Sequence, residues 1–170
     1  MNARDIMTPS PHCCAPTDTL QAVATVMRDD DCGAVPVVEG GKLIGIVTDR
    51  DLAVRALATG EGPNAIVSDF MSASPHSCQA DADVRDIQRL MSDHQVRRIP
   101  IVDESGRCVG IVSQADLARA AGTASEQVSD REVAIVVERI SRPGGAHSHA
   151  RPSATHTASD STQPGIVERL

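Results

Sequence analysis

GIVTDRD at residues 45–51 and GIVSQAD at residues 110–116 are one seven-residue phrase written twice. Outward from the phrase, the neighbourhood repeats as well. Gly45, Ile46, Val47, Asp51, Leu52 and Ala53 recur 65 positions on, as Gly110, Ile111, Val112, Asp116, Leu117 and Ala118. Upstream the spacing is 64: Met7, Ser10, Pro11, His12, Cys14, Met27, Pro36 and Val38 recur as Met71, Ser74, Pro75, His76, Cys78, Met91, Pro100 and Val102. The one-residue change falls between the segments, at Gly40–Gly41 in the first copy and Glu104–Gly106 in the second, where a turn absorbs an insertion. Agreement in order with a single gap identifies an internal duplication.

Each copy predicts the same elements. A short extended piece (His12–Cys14; His76–Cys78) leads to a helix start, where Thr17 or Asp18 is the expected cap, Asp18 and Gln21 forming a capping-box pattern. Leu20, Val23, Ala24 and Met27 fall at helical spacing, as do Val84, Ile87, Leu90 and Met91. AVPVV or RIPIV, a tight turn, then KLIGIV or RCVGIV read as a β-hairpin. Thr48 and Ser113 are placed as N-caps of a second helix. The expected order is strand, helix, strand, strand, helix. One unit of ~50 residues buries little surface alone, so two units packed sheet to sheet around a shared core are expected. The fold class is α/β (α+β), with residues 1–60 and 61–121 as the two units and 122–142 as a linker and short helix. That helix is expected from the Ser129/Glu132 box and from Val133, Ile135, Val136, Val137 and Ile140. Residues 143–170, rich in Ser, Thr, His, Ala and Pro, are expected to be a disordered tail.

Composition narrows the function. Hydrophobic residues make up 41% of the 170, yet the only aromatic among Phe, Tyr and Trp is Phe70, so Val, Ile, Leu, Ala and Met must build the core. A net charge of −7 and no stacking platform argue against nucleic-acid binding. No apolar run approaches the roughly 18–20 residues of a membrane span. The N-terminus has no secretory apolar segment, so a cytoplasmic protein is expected. Five cysteines, an odd number, argue against a disulfide framework.

The phrase itself has a legible chemistry. A hydroxyl at a helix start stands beside unpaired N–H groups and the positive end of the dipole, which favours phosphate. Asp51 and Asp116 follow one turn later, and a carboxylate suits a ribose diol. The same pair, hydroxyl cap and first-turn acid, is also a common helix-stabilising device. Arg98 stands before Ile99–Pro100 where the first copy has Ala34. Arg50 lies within the first phrase where the second has Ala115, and Asp49 faces Gln114 in the alignment. Val35, Val37, Ile99 and Ile101 flank the two prolines and are candidates for an apolar base slot as well as for plain core.

GIVTDRD and GIVSQAD, with AVPVV, RRIPIV, MTPS and MSAS, resemble the signatures of tandem CBS domains, the pair called a Bateman module. The resemblance covers residues 1 to about 121. It implies an intramolecular pair that commonly dimerises, carries no catalysis and holds an adenine nucleotide (AMP, ADP or ATP) or S-adenosylmethionine in the clefts between domains. It places ligand contacts at Thr48, Asp51, Ser113, Asp116, Arg98, Arg50, Val35 and Ile99, with no metal expected. His12 and His76 would stand near the cleft mouth. Stand-alone bacterial pairs of this size accompany hypoxic or general stress responses, so an unidentified protein target is a further expected partner. The charge asymmetry leads to the expectation that the cleft with Ser113 and Asp116 binds more tightly. Two other readings stand beside this one: a ligand-free interaction module, and a zinc or redox site built from His12, Cys14, His76 and Cys78.

Overall fold

The computed structural model describes residues 1–121 and 128–142. The chain opens with a single helical turn, α1 (Ala3–Ile6), and a two-residue strand, β1 (Thr8–Pro9). α2 (Leu20–Asp29), β2 (Ala34–Glu39) and β3 (Lys42–Thr48) follow, then α3 (Asp49–Asp51), which runs on as a π turn (Leu52–Ala56) and a 3-10 turn (Leu57–Thr59). The second copy supplies β4 (Ser72–Ala73), β5 (Cys78–Gln79), α4 (Val84–His94), β6 (Arg98–Val102), β7 (Cys108–Ser113) and α5 (Gln114–Ala121). α6 (Asp130–Ile140) closes the described chain and opens on the expected Ser129/Glu132 capping box. Among the described residues no helix is long and apolar enough to cross a membrane. The tail expected over 143–170 lies outside the described residues.

The duplication holds down to the register. Cys14 bridges Val37 in parallel, and Cys78 pairs with Ile101 in the same sense. The hairpin bulge falls between Val37 and Val38 and again between Ile101 and Val102. Ser10 and Ser74 share a positive φ near 50°, as do Asp31 and Gln95. The two-glycine turn at Gly40 (φ 57°) and Gly41 (φ 82°) needs the left-handed region at both positions, which an L side chain rarely adopts.

Two hydrophobic cores form where a single shared one was expected. Val23, Val35, Val37 and Val47 centre the first; Ile87, Met91, Ile99, Ile101 and Leu117 centre the second. What joins them is an exchange of lead-in segments. β1 pairs antiparallel with β7 of the second copy (Thr8 opposite Ile111, Pro9 opposite Gly110), and β4 pairs with β3 of the first (Ser72 opposite Ile46, Ala73 opposite Gly45). Ala3 is fully buried in the second core and Val67 fully buried in the first. The sheets therefore read β1-β7-β6-β5 and β2-β3-β4. The signature glycines make room for this exchange. A Cβ on Gly110 would collide with the side chain of Met7, and one on Gly45 with that of Met71.

One local expectation changes. The cap of α2 is Thr19, whose hydroxyl accepts from Ala22 N–H at 3.2 Å. Asp18 serves the preceding turn instead, accepting from Ala15 N–H at 2.8 Å while its own N–H donates to Ala15 carbonyl.

Candidate functional site

Both signature phrases end a strand and start a helix at the same edge of their sheets. Thr48 closes β3 in extended conformation, and Asp51 N–H donates to its hydroxyl at 3.2 Å. Asp51 Oδ2 accepts from Thr48 N–H at 2.9 Å and from the Thr48 hydroxyl at 2.6 Å. Ser113 and Asp116 repeat the motif with 3.3, 2.7 and 2.6 Å. The hydroxyl–carboxylate device therefore caps both helices, and one oxygen of each carboxylate is spent on it.

The second oxygen differs between copies. Asp116 Oδ1 is taken by the Arg119 guanidinium, and the Asp116 side chain is only 6% exposed. Asp51 Oδ1 lies 3.6 Å from Arg55 Nη1, which instead donates to Met71 carbonyl at 3.2 Å. Among the described residues Asp51 Oδ1 accepts no hydrogen bond and its side chain is 14% exposed. It is the more available acceptor.

Arg98 links the two phrases. Its backbone is paired with Ser113 in the β6–β7 ladder, as Ala34 is with Thr48. Its side chain reaches across to the first copy: a Cβ on Gly33 would lie 2.8 Å from Arg98 Nη2 and 2.7 Å from Asp49 Oδ2. The absence of a side chain at Gly33 thus lets the guanidinium stand beside Asp49 at the first helix start. The cation expected to favour the Ser113/Asp116 side therefore extends toward the first copy. Arg50 is exposed, and its N–H donates to Asp49 Oδ1 at 2.7 Å.

Val35 and Ile99, candidates for an apolar base slot, lie at the centres of the two cores. Each is fully buried, Val35 in the first core and Ile99 in the second, because alternate residues of β2 and β6 point inward. Their surface is spent on packing.

The histidines and cysteines are not gathered as the zinc or redox reading requires. Cys14 and Cys78 are buried in separate cores. Burial pushes the Cys14 thiol up to about 12, and burial likewise raises Cys78. His12 is exposed and hydrogen-bonded to Asp30, which raises its pKa. His76 stacks on His94 with ring centroids 3.5 Å apart. Burial first, and then the neighbouring imidazole, lower its pKa. Among the described residues no three His, Cys, Asp or Glu side chains cluster as a metal site.

A different thiol pair does form. The β1–β7 pairing continues through the Ser10 N–H to Val109 carbonyl bond at 3.0 Å, which carries Cys13 to Cys108. The hydrogen bond with Cys108 lowers the Cys13 thiol to about 7, and the same contact raises Cys108. The counterparts by repeat are Ser77 and Leu43, so the pair occurs once. No sequence spacing announces it, because the exchange of β1 creates it.

The comparisons with known proteins agree with this geometry. The model of the CBS domain family matches twice, over residues 3–57 and 67–122. CBS domain-containing protein YhcV of Bacillus subtilis is 38% identical over 138 residues, 78% of this chain and 98% of that protein. Hypoxic response protein 1 of Mycobacterium tuberculosis is 40% identical over 119 residues, 69% of this chain and 82% of that protein. Among solved structures, Hypoxic Response Protein I with two coordinated zinc ions superposes with a TM-score of 0.65 at 39% identity, covering 70% of this chain and 98% of that one. CBSX2 in complex with AMP gives 0.61 at 26%, covering 71% and 95%. The CBS domain pair of MJ0100 with 5-methylthioadenosine and S-adenosyl-L-methionine gives 0.65 at 27%, covering 74% and 98%.

Proposed function

The chain belongs to the CBS domain family, and from that premise we propose that it is a regulatory sensor which binds an adenine nucleotide at the signature phrases and catalyses no reaction. One observation supports the reading: Arg98 is paired with Ser113 in the ladder and its guanidinium reaches Gly33 of the first copy, so one cation stands between the two signature phrases. The phosphate is assigned to the Arg98 guanidinium and, from the exposed rim, Arg50. The ribose diol is assigned to Asp51 Oδ1, which accepts no hydrogen bond among the described residues and has only a 3.6 Å ion pair with Arg55. The stronger site is therefore the Thr48/Asp51 side. Ser113 and Asp116 form the weaker one, since Arg119 must be displaced there.

AMP, ADP, ATP and S-adenosylmethionine are the candidate ligands, in line with the compounds named for CBSX2 and MJ0100. A homodimer in the cytoplasm, acting on a protein target in a stress response, completes the reading; the likeness to a hypoxic response protein supports it. Val54 and Leu57, 44% and 73% exposed, are the apolar surface for self-association.

A thermal-shift panel of these nucleotides tests the proposal. Ligand at 100 times its Kd should stabilise the fold by about 2.7 kcal/mol, a rise in Tm of roughly 5–10 °C. Absence of any shift at millimolar adenosine compound would favour the interaction-module reading. Calorimetry then separates the sites. Asp51→Asn, which keeps a capping side chain, should weaken AMP roughly 10-fold or more, and Asp116→Asn should weaken it less. Equal losses would remove the asymmetry. Zinc belongs in the same panel. The likeness to a protein whose structure holds two zinc ions, together with the Cys13–Cys108 contact, favours a thiol-bound metal as the second reading.

A further inference from the structure

α6 does not close completely on α4. Between them lies a groove of about 260 Å³, lined from α4 by Arg85, Gln88, Arg89 and Ser92 and from α6 by residues including Glu132 and Arg139. On α4 these positions follow one another at i, i+3, i+4 and i+7, so a single helix face presents them. Gln88 is 7% exposed, and its Nε2 is a buried donor with no acceptor among the described residues. A buried N–H group without a partner is destabilising, so it marks a place where an acceptor is missing.

The charges around it specify that acceptor. Three guanidiniums against one carboxylate leave two positive charges on a chain whose net charge is −7. Arg89 already pairs with Asp86 at 3.2 Å. Arg85 and Arg139 have no carboxylate within ion-pair distance among the described residues, and Glu132 is committed to the Ser129 cap with bonds of 3.0 Å. The feature is confined to the second copy. The first copy carries Gln21, Ala24, Thr25 and Arg28 at the matched positions and has no described helix laid over them.

We propose that the α4–α6 groove is a binding site for a small dianionic oxyanion of the phosphate class, held by Arg85 and Arg139 with Gln88 Nε2 donating from below. Guanidinium forks suit the phosphate oxygens, and the groove's excess of positive charge favours an anion. The site shares no residue with the signature phrases and stands whether or not these bind nucleotide. Occupation would tie α6 to α4 and so couple the C-terminal helix to the second CBS domain.

The test is a titration of the full chain with inorganic phosphate at constant ionic strength, read on the Gln88 side-chain amide NMR signal, which Gln88→Met identifies. A saturable shift of that signal is expected. Arg85→Ala with Arg139→Ala should weaken phosphate at least 10-fold, and both side chains are exposed, so the fold tolerates the change. Asp51→Asn should leave the phosphate response of the groove unchanged, which separates this site from the nucleotide reading. Gln88→Met should abolish the phosphate-induced rise in Tm. A shift that never saturates, that chloride or acetate reproduces, or that survives the double substitution would overturn the proposal, as would a phosphate-induced rise in Tm retained by Gln88→Met.

Discussion

In the first CBS domain the helix after the signature is one α-turn at Asp49–Asp51 that continues as π and 3-10 turns to Thr59; in the second it is a regular α-helix, Gln114–Ala121. Leu117 and Ala120 are buried, whereas Leu57 is 73% exposed. α6 lies across α4 and α5 and adds Val133, Val136 and Ile140 to the second core. The described chain contains no equivalent cover for the first. Duplicated sequence therefore does not give duplicated energetics. The copy that gains a fourth packed element keeps a regular helix, and the one that lacks it presents apolar surface and the more available carboxylate. The π turn beside Asp51 fits the tendency of such bulges to stand at functional sites.

The largest expected effect tests the role of α6. Val136→Asp places a charge at a position only 4% exposed and should lower stability by about 3 kcal/mol or more in urea unfolding. A negligible loss would mean that α6 is not part of the second core. Next comes the exchange of lead-in segments. Gly110→Ala and Gly45→Ala should each cost about 2 kcal/mol by crowding a methionine of the other copy. Met7→Ala should relieve only the first and Met71→Ala only the second, and a double-mutant cycle with relief in the mismatched combinations would contradict the pairing.

The capping carboxylates come third. Asp116→Ala should cost about 2 kcal/mol, because it removes the buried acceptor of Ser113 and Arg119. Asp51→Ala should cost about 1 kcal/mol, with its more exposed side chain and weaker ion pair. Equal values from denaturant melts would place the two helix starts in equivalent environments.

The smallest effects are in the histidine pairs, where His12–Asp30 in the first copy corresponds to His76–His94 in the second. His12 should titrate above 6.5 by NMR, its contribution to stability present at low pH and lost as pH rises through the folded pKa. His76 should titrate below 6.5, so its environment opposes folding as pH falls from the unfolded value through the folded one. Exchanging Asp30 for His should draw His12 downward, and no movement would detach the shift from its partner. On the thiol side, Cys13 should alkylate with a midpoint near pH 7 while Cys14, held to about 12, stays inert.

Local pattern alone determined much of this molecule. The repeat spacing, the hairpins, the Thr48 and Ser113 caps with their acids, and the final helix opened by Ser129 all rest on contacts a few residues apart, which sequence spacing encodes directly. The periodicity of Val84, Ile87 and Met91 marked a buried face for the same reason. The tertiary structure decided which copy each lead-in segment joins, since Ala3–Met7 and Val67–Met71 carry the same pattern and either sheet edge could accept either one. That choice placed Met7 on Gly110, Met71 on Gly45 and Cys13 on Cys108. It also decided that Val35 and Ile99 are core, that Arg98 serves the opposite copy across Gly33, and that α6 leaves Gln88 without an acceptor. Each of these depends on where a side chain ends relative to a segment dozens of residues away, and that relation is set by how two cores pack, not by spacing along the chain.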